Sequence, residues 1–98
     1  MANDIYLHDQ DAKELYKAIQ SLKTDEECKN FLRDLLTEAE MKETIQRWKI
    51  VRMLDQKVPY EEITRTTGMS STTIARISKW LQKGMGGYRL ILDRVKNK

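Results

Sequence analysis

Residues 59–81 read P-Y-E-E-I-T-R-T-T-G-M-S-S-T-T-I-A-R-I-S-K-W-L, and this stretch limits what the chain can fold into more than any other. Pro59 suits a helix start, where its missing N–H costs nothing. Glu61 and Glu62 then fall in a first turn, where the helix dipole favours acids. Gly68 stands where the chain must reverse, and a positive φ is cheap for glycine. Ser70 or Ser71 can accept the free N–H groups of a second helix. The pattern predicts a helix-turn-helix over about 59–82.

At 100° per residue, Ile74, Ile77 and Leu81 share one face of the second helix. Thr72, Arg76, Lys79 and Lys83 share the opposite face, with Thr73 and Trp80 on a flank. That outer face carries hydroxyls and cations and no carboxylate. Hydroxyls and guanidinium groups of this kind contact phosphates and base edges, and arginine can grip guanine bidentately. A core hairpin with a merely solvated face is the bland alternative. Turn glycine, caps, spacing and charge agree against it.

Charge is divided along the chain. Residues 1–40 hold ten acids against five Lys/Arg, a net of −5, and residues 41–98 hold thirteen Lys/Arg against five acids, a net of +8. A basic half built around a helix-turn-helix is the footprint expected for phosphate contact. At 98 residues one domain over 1–98 is expected, small enough that pairing with a second copy is a natural way to bury apolar surface. No signal peptide or apolar span long enough for a membrane is evident. The single Cys28 excludes an internal disulfide and suits the cytoplasm.

Six helices and no strand are expected, an all-α chain. Asp9 caps a first helix near 10–22, with Leu15, Ile19 and Leu22 as its stripe and Tyr16 widening it. Residues 1–7 read as an irregular arm. Thr24-Asp25-Glu26-Glu27 is a capping box opening a helix to about residue 36, with Cys28, Phe31, Leu32 and Leu35 inward. Thr37-Glu38-Ala39-Glu40 repeats the device. It opens the longest helix, to about residue 55 or 56, with Met41, Thr44, Ile45, Trp48, Val51, Arg52 and Leu54 recurring along it. Gly84, Gly86 and Gly87 end the second helix of the pair. A last helix over 88–96 has Leu90, Ile91 and Val95 as its apolar positions.

The order Leu35-Leu36-Thr37, Glu40, Arg47, Ile50-Val51, Leu54, Ile63, Gly68, Thr73-Ile74 and Arg76 resembles the Trp repressor family, and within it the Trp-repressor-like YerC/YecD branch. The resemblance implies a six-helix fold in an intertwined homodimer, with the amino-terminal helices interlocking between subunits. It also implies operator binding by the fourth and fifth helices. In the amino-acid-responsive repressor, tryptophan lies between the third helix and the recognition helix. Polar contacts of that site match Thr37, Arg47 and Arg76 here. Ile77 replaces a glycine that leaves room for the indole, and Trp80 replaces a serine near the ligand's amino group. A packed site tolerates such overfilling poorly, so no tryptophan response is expected.

The expected function is a sequence-specific DNA-binding transcriptional regulator, a dimeric repressor that places the helix around 71–82 in the major groove of double-stranded DNA. Ser70, Ser71, Thr72, Thr73, Arg76 and Lys79 are the expected contacts, with Arg65 and Lys83 adding phosphate neutralisation. Capping for Thr37, an ion pair with Glu43 for Arg47, and phosphate contact for Arg76 are the alternatives to ligand roles. A protein-interaction module on the same scaffold is the rival function. An enzyme is not expected, since no metal-ligand cluster, phosphate loop or nucleophile–base pair is visible. No cofactor is implied, and the sequence names no small-molecule effector.

Overall fold

A computed structural model describes residues 4–96. Among them it has six α-helices and no strand: α1 (Gln10–Gln20), α2 (Asp25–Leu35), α3 (Glu38–Asp55), α4 (Tyr60–Thr67), α5 (Ser71–Lys83) and α6 (Gly87–Lys96). A short 3₁₀ turn, Ile5–His8, precedes α1, so part of the expected arm is ordered. Tyr16 Oη donates to the Leu7 carbonyl at 2.9 Å, which ties that turn to α1. Residues 1–3 of the arm lie outside the described residues.

Local chemistry opens the first helices as the sequence predicts. Asp9 Oδ1 accepts from the Ala12 N–H at 2.7 Å, and Thr24 Oγ1 accepts from the Glu27 N–H at 3.1 Å. The capping box is shifted by one residue, because Glu27 Oε1 accepts from the Lys23 N–H at 2.9 Å.

The backbone divides into two compact units, one up to Glu38 and one from Ala39 onward. In the first unit no described residue is buried. This corrects the expected interior of α2: Cys28 is exposed and Leu35 keeps 48% of its surface. The reason is physical. An amphipathic helix chooses a face, but only a neighbouring surface can bury it.

The second unit holds the core. Ile50 and Val51 of α3, Ile63 of α4, Ile74 and Ile77 of α5, and Leu92 of α6 are its buried apolar residues, with Trp48, Met53, Leu54 and Leu81 packed around them. Two stripes read from the sequence need correction here. On α3, Ile50 faces the core, while Ile45 is 55% exposed. On α6, Leu92 is buried, whereas Leu90, Ile91 and Val95 are exposed. Three consecutive apolar residues, 90–92, fit two helix faces equally well, and packing decides between them. Asp55 at the end of α3 joins α6, with Arg89 Nη1 at 2.9 Å and Lys96 Nζ at 2.5 Å. Hydrogen bonds from Lys96 and then Arg89 hold its carboxyl below the ordinary carboxylate range.

α3 ends in a Schellman motif. The Val58 N–H donates to the Met53 carbonyl and the Lys57 N–H to the Leu54 carbonyl, each at 3.0 Å. Lys57 sits at φ +65°, the position glycine usually takes. Left-handed backbone costs a residue with a Cβ about 1–2 kcal/mol. Glycine avoids that cost but gives part of the gain back through its greater unfolded-state freedom. Lys57→Gly is therefore expected to stabilise the chain by about 0.5–1 kcal/mol, read as a higher urea midpoint at unchanged m.

Candidate nucleic-acid interface

α4 and α5 meet through three residues. The Gly68 N–H donates to the Thr64 carbonyl at 2.9 Å, and Gly68 itself adopts φ +75°. Thr67 Oγ1 donates to the Ile63 carbonyl at 2.7 Å and accepts from the Met69 N–H at 3.2 Å. Ser70, not Ser71, is the cap: its Oγ accepts from the Thr73 N–H at 3.1 Å. The turn is thus closed by its own side chains. It fixes the start of α5 relative to α4.

Ile74 and Ile77 are fully buried and Leu81 packs beside them, so the inner face of α5 is the one its spacing predicts. Ser71, Thr72, Arg76, Lys79 and Lys83 are exposed. Arg76, Lys79 and Lys83 have no ion-pair partner among the described residues. The first turn of α5 contains no acid, which leaves its N–H groups compatible with a phosphate. A helix of 13 residues is about 20 Å long, enough to cross a groove.

Other expected contacts are less free. Thr73 is half-buried, and its Oγ1 accepts from Ser70 Oγ at 3.0 Å. Arg65 is ion-paired with Glu62 on its own helix, which raises the guanidinium's affinity for its proton. The Glu-x-x-Arg spacing carried that signal. Sequence reasoning also passed over Ser78, which is buried beside Ile74 and Ile77.

Of the side chains matched to a tryptophan site, Arg47 has partners of its own. The Arg47 guanidinium lies 5.7 Å from the centre of the Trp80 ring, within cation–π range. Glu43 is 3.6 Å from the same guanidinium. α3 and α5 are therefore linked by an aromatic–cation contact beside the buried Ile77. Arg76 lies one turn before Trp80 on α5. Thr37 immediately precedes α3 and belongs to the first unit, whereas Arg47 and Arg76 belong to the second. Among the described residues no group of three or more His, Cys, Asp or Glu could hold a metal. No described helix is long and apolar enough to cross a membrane.

Residues 10–96 match the sequence profile of the Trp repressor protein family. The chain is 39% identical over 90 residues to the uncharacterized protein YerC of Bacillus subtilis strain 168, covering 92% of this chain and 86% of that one. It is similar to the crystal structure of a TrpR-like protein from Eubacterium eligens ATCC 27750, with a TM-score of 0.89, 32% identity and coverage of 95% and 96%. A provisionally named Trp repressor from Staphylococcus aureus gives a TM-score of 0.88 at 34% identity, covering 100% of this chain and 98% of that one.

Proposed function

This chain belongs to the Trp repressor family, and from that premise we propose that it is a sequence-specific DNA-binding transcriptional regulator acting as a dimeric repressor. α4 and α5 serve as the helix-turn-helix, and α5 enters the major groove of double-stranded DNA. The observation that carries this reading is the outer face of α5. Arg76, Lys79 and Lys83 stand there without carboxylate partners, beside the hydroxyls of Ser71 and Thr72. The helix beneath them is pinned by two fully buried isoleucines. Ser70 and Thr73 act through the turn they close, and Arg65 adds phosphate contact once it exchanges Glu62 for DNA.

The same premise favours two chains. The first unit buries no described side chain, and Leu15, Ile19, Leu35, Leu90 and Val95 are exposed. A second copy covers these faces and sets two recognition helices about 34 Å apart, one turn of duplex. In this arrangement the two units work as one domain over residues 1–98, in the cytoplasm.

Selection from a random duplex library at near-physiological salt tests the proposal. A palindrome with half-sites about one turn apart is expected. Recovery of no sequence preference would overturn it in favour of the protein-interaction module.

Tryptophan is not the effector in this reading. Ile77 is fully buried in the core and Trp80 already carries the Arg47 guanidinium. Titration calorimetry with tryptophan is expected to give no saturable heat at micromolar concentrations. A saturable isotherm would remove this part of the proposal and return Thr37, Arg47 and Arg76 to ligand roles.

A further inference from the structure

A cleft of about 810 Å³ opens at the carboxyl-terminal end of α5, between the last turn of α3, the joint before α4 and the start of α6. That volume is within the range of small-molecule sites. Leu54, Val58 and Leu81 supply its apolar lining, and Ser78 and Gln82 a polar wall. Ser78 is the one buried polar residue among the described residues, only 7% exposed. Its Oγ accepts from Gln82 Nε2 at 3.2 Å, which leaves the hydroxyl proton to donate. The base-reading contacts are expected nearer the other end of the helix, at Ser71, Thr72 and Arg76, with Lys83 alone of the expected DNA contacts beside the cleft.

The cations at the cleft are unevenly used. Asp55, the acid that lines it, has a side chain only 9% exposed and is already held by Arg89 and Lys96. Lys57 also lines the cleft and has no carboxylate partner among the described residues. It is the same lysine that adopts a left-handed backbone. A lysine in left-handed backbone at a cavity rim, where glycine would relax the turn, points to a use for its side chain.

We propose that this cleft binds a small amphiphilic carboxylate, with its anionic head on Lys57, its apolar body over Leu54, Val58 and Leu81, and a donor from Ser78. The walls include Pro59 and Tyr60 beside the last turns of α5, so an occupant touches both helices of the proposed DNA reader. Any effect on DNA rests on that reading. Binding itself does not.

Calorimetry on the full chain without DNA separates the two. The probes are 4-phenylbutanoate and its neutral amide. Saturable binding of the acid, about tenfold tighter than the amide, is expected for one charge-assisted contact. Lys57→Gly is expected to weaken the acid by about tenfold while raising Tm by about 2–6 °C, so the loss does not come from unfolding. Gln82→Trp, an exposed position, fills the cleft and is expected to abolish binding of both probes. The proposal is overturned by no saturable heat from the acid up to about 10 mM, by equal affinity for acid and amide, or by unchanged binding in Lys57→Gly.

Discussion

Ile77→Ala is expected to lower the unfolding free energy by about 2–5 kcal/mol. Ile77 is fully buried, and among the described residues the core around it has five other buried apolar residues, Ile50, Val51, Ile63, Ile74 and Leu92. With so few side chains the surroundings have little material with which to collapse into a void, so the transfer loss and the cavity both count. Against a total of about 5–15 kcal/mol for an ordinary domain, this is a large share. Ile77→Val removes one methylene and is expected to cost about 0.5–1.5 kcal/mol. Urea denaturation followed by tryptophan fluorescence reads both, as a lower midpoint at unchanged slope. A cost for alanine no larger than that for valine would mean that position 77 is not packed as described. The same pair bears on the ligand question, since a side chain whose removal is this expensive is an integral part of the core.

The second large effect concerns DNA. Arg76→Ala is expected to weaken binding to the selected operator by about 1–3 kcal/mol, roughly five- to 150-fold. Arg76 is exposed and has no ion-pair partner among the described residues, so its loss leaves the fold untouched. Lys83→Ala provides the contrast. Removing a phosphate partner there is expected to weaken binding to operator and random duplex alike and to reduce the salt slope by about 1. Fluorescence anisotropy at several salt concentrations measures both variants. An equal loss for Arg76→Ala on operator and random duplex would assign that residue to phosphate instead of base.

How far the sequence was readable depended on the range of the physics involved. Asp9, Thr24, Gly68 and Ser70 act within about one helical turn of themselves, so their caps and reversal could be found without the rest of the chain. The inner face of α5 was legible because Ile74, Ile77 and Leu81 leave no competing stripe. Burial elsewhere was not local. Leu90, Ile91 and Leu92 offered two faces, and packing against the core selected Leu92. Cys28 and Leu35 lie on a well-patterned helix and are exposed, while Phe31 and Leu32 beside them are half-buried. Side-chain partners behaved likewise. Arg65 reads as a free cation in the sequence, but Glu62 holds it in the fold. The Trp80 flank position became informative only once α3 brought Arg47 to it.

That no described side chain of the first unit is buried has a consequence for amide exchange. Protection of a backbone N–H reflects the free energy of the opening that exposes it. For α1 and α2 in the lone chain, that opening is little more than local helix fraying, since no interior has to be breached. For the amides of Ile63 and Ile74 it requires disruption of the core. One polypeptide therefore carries two exchange clocks, and the faster one slows only when another surface closes over those helices.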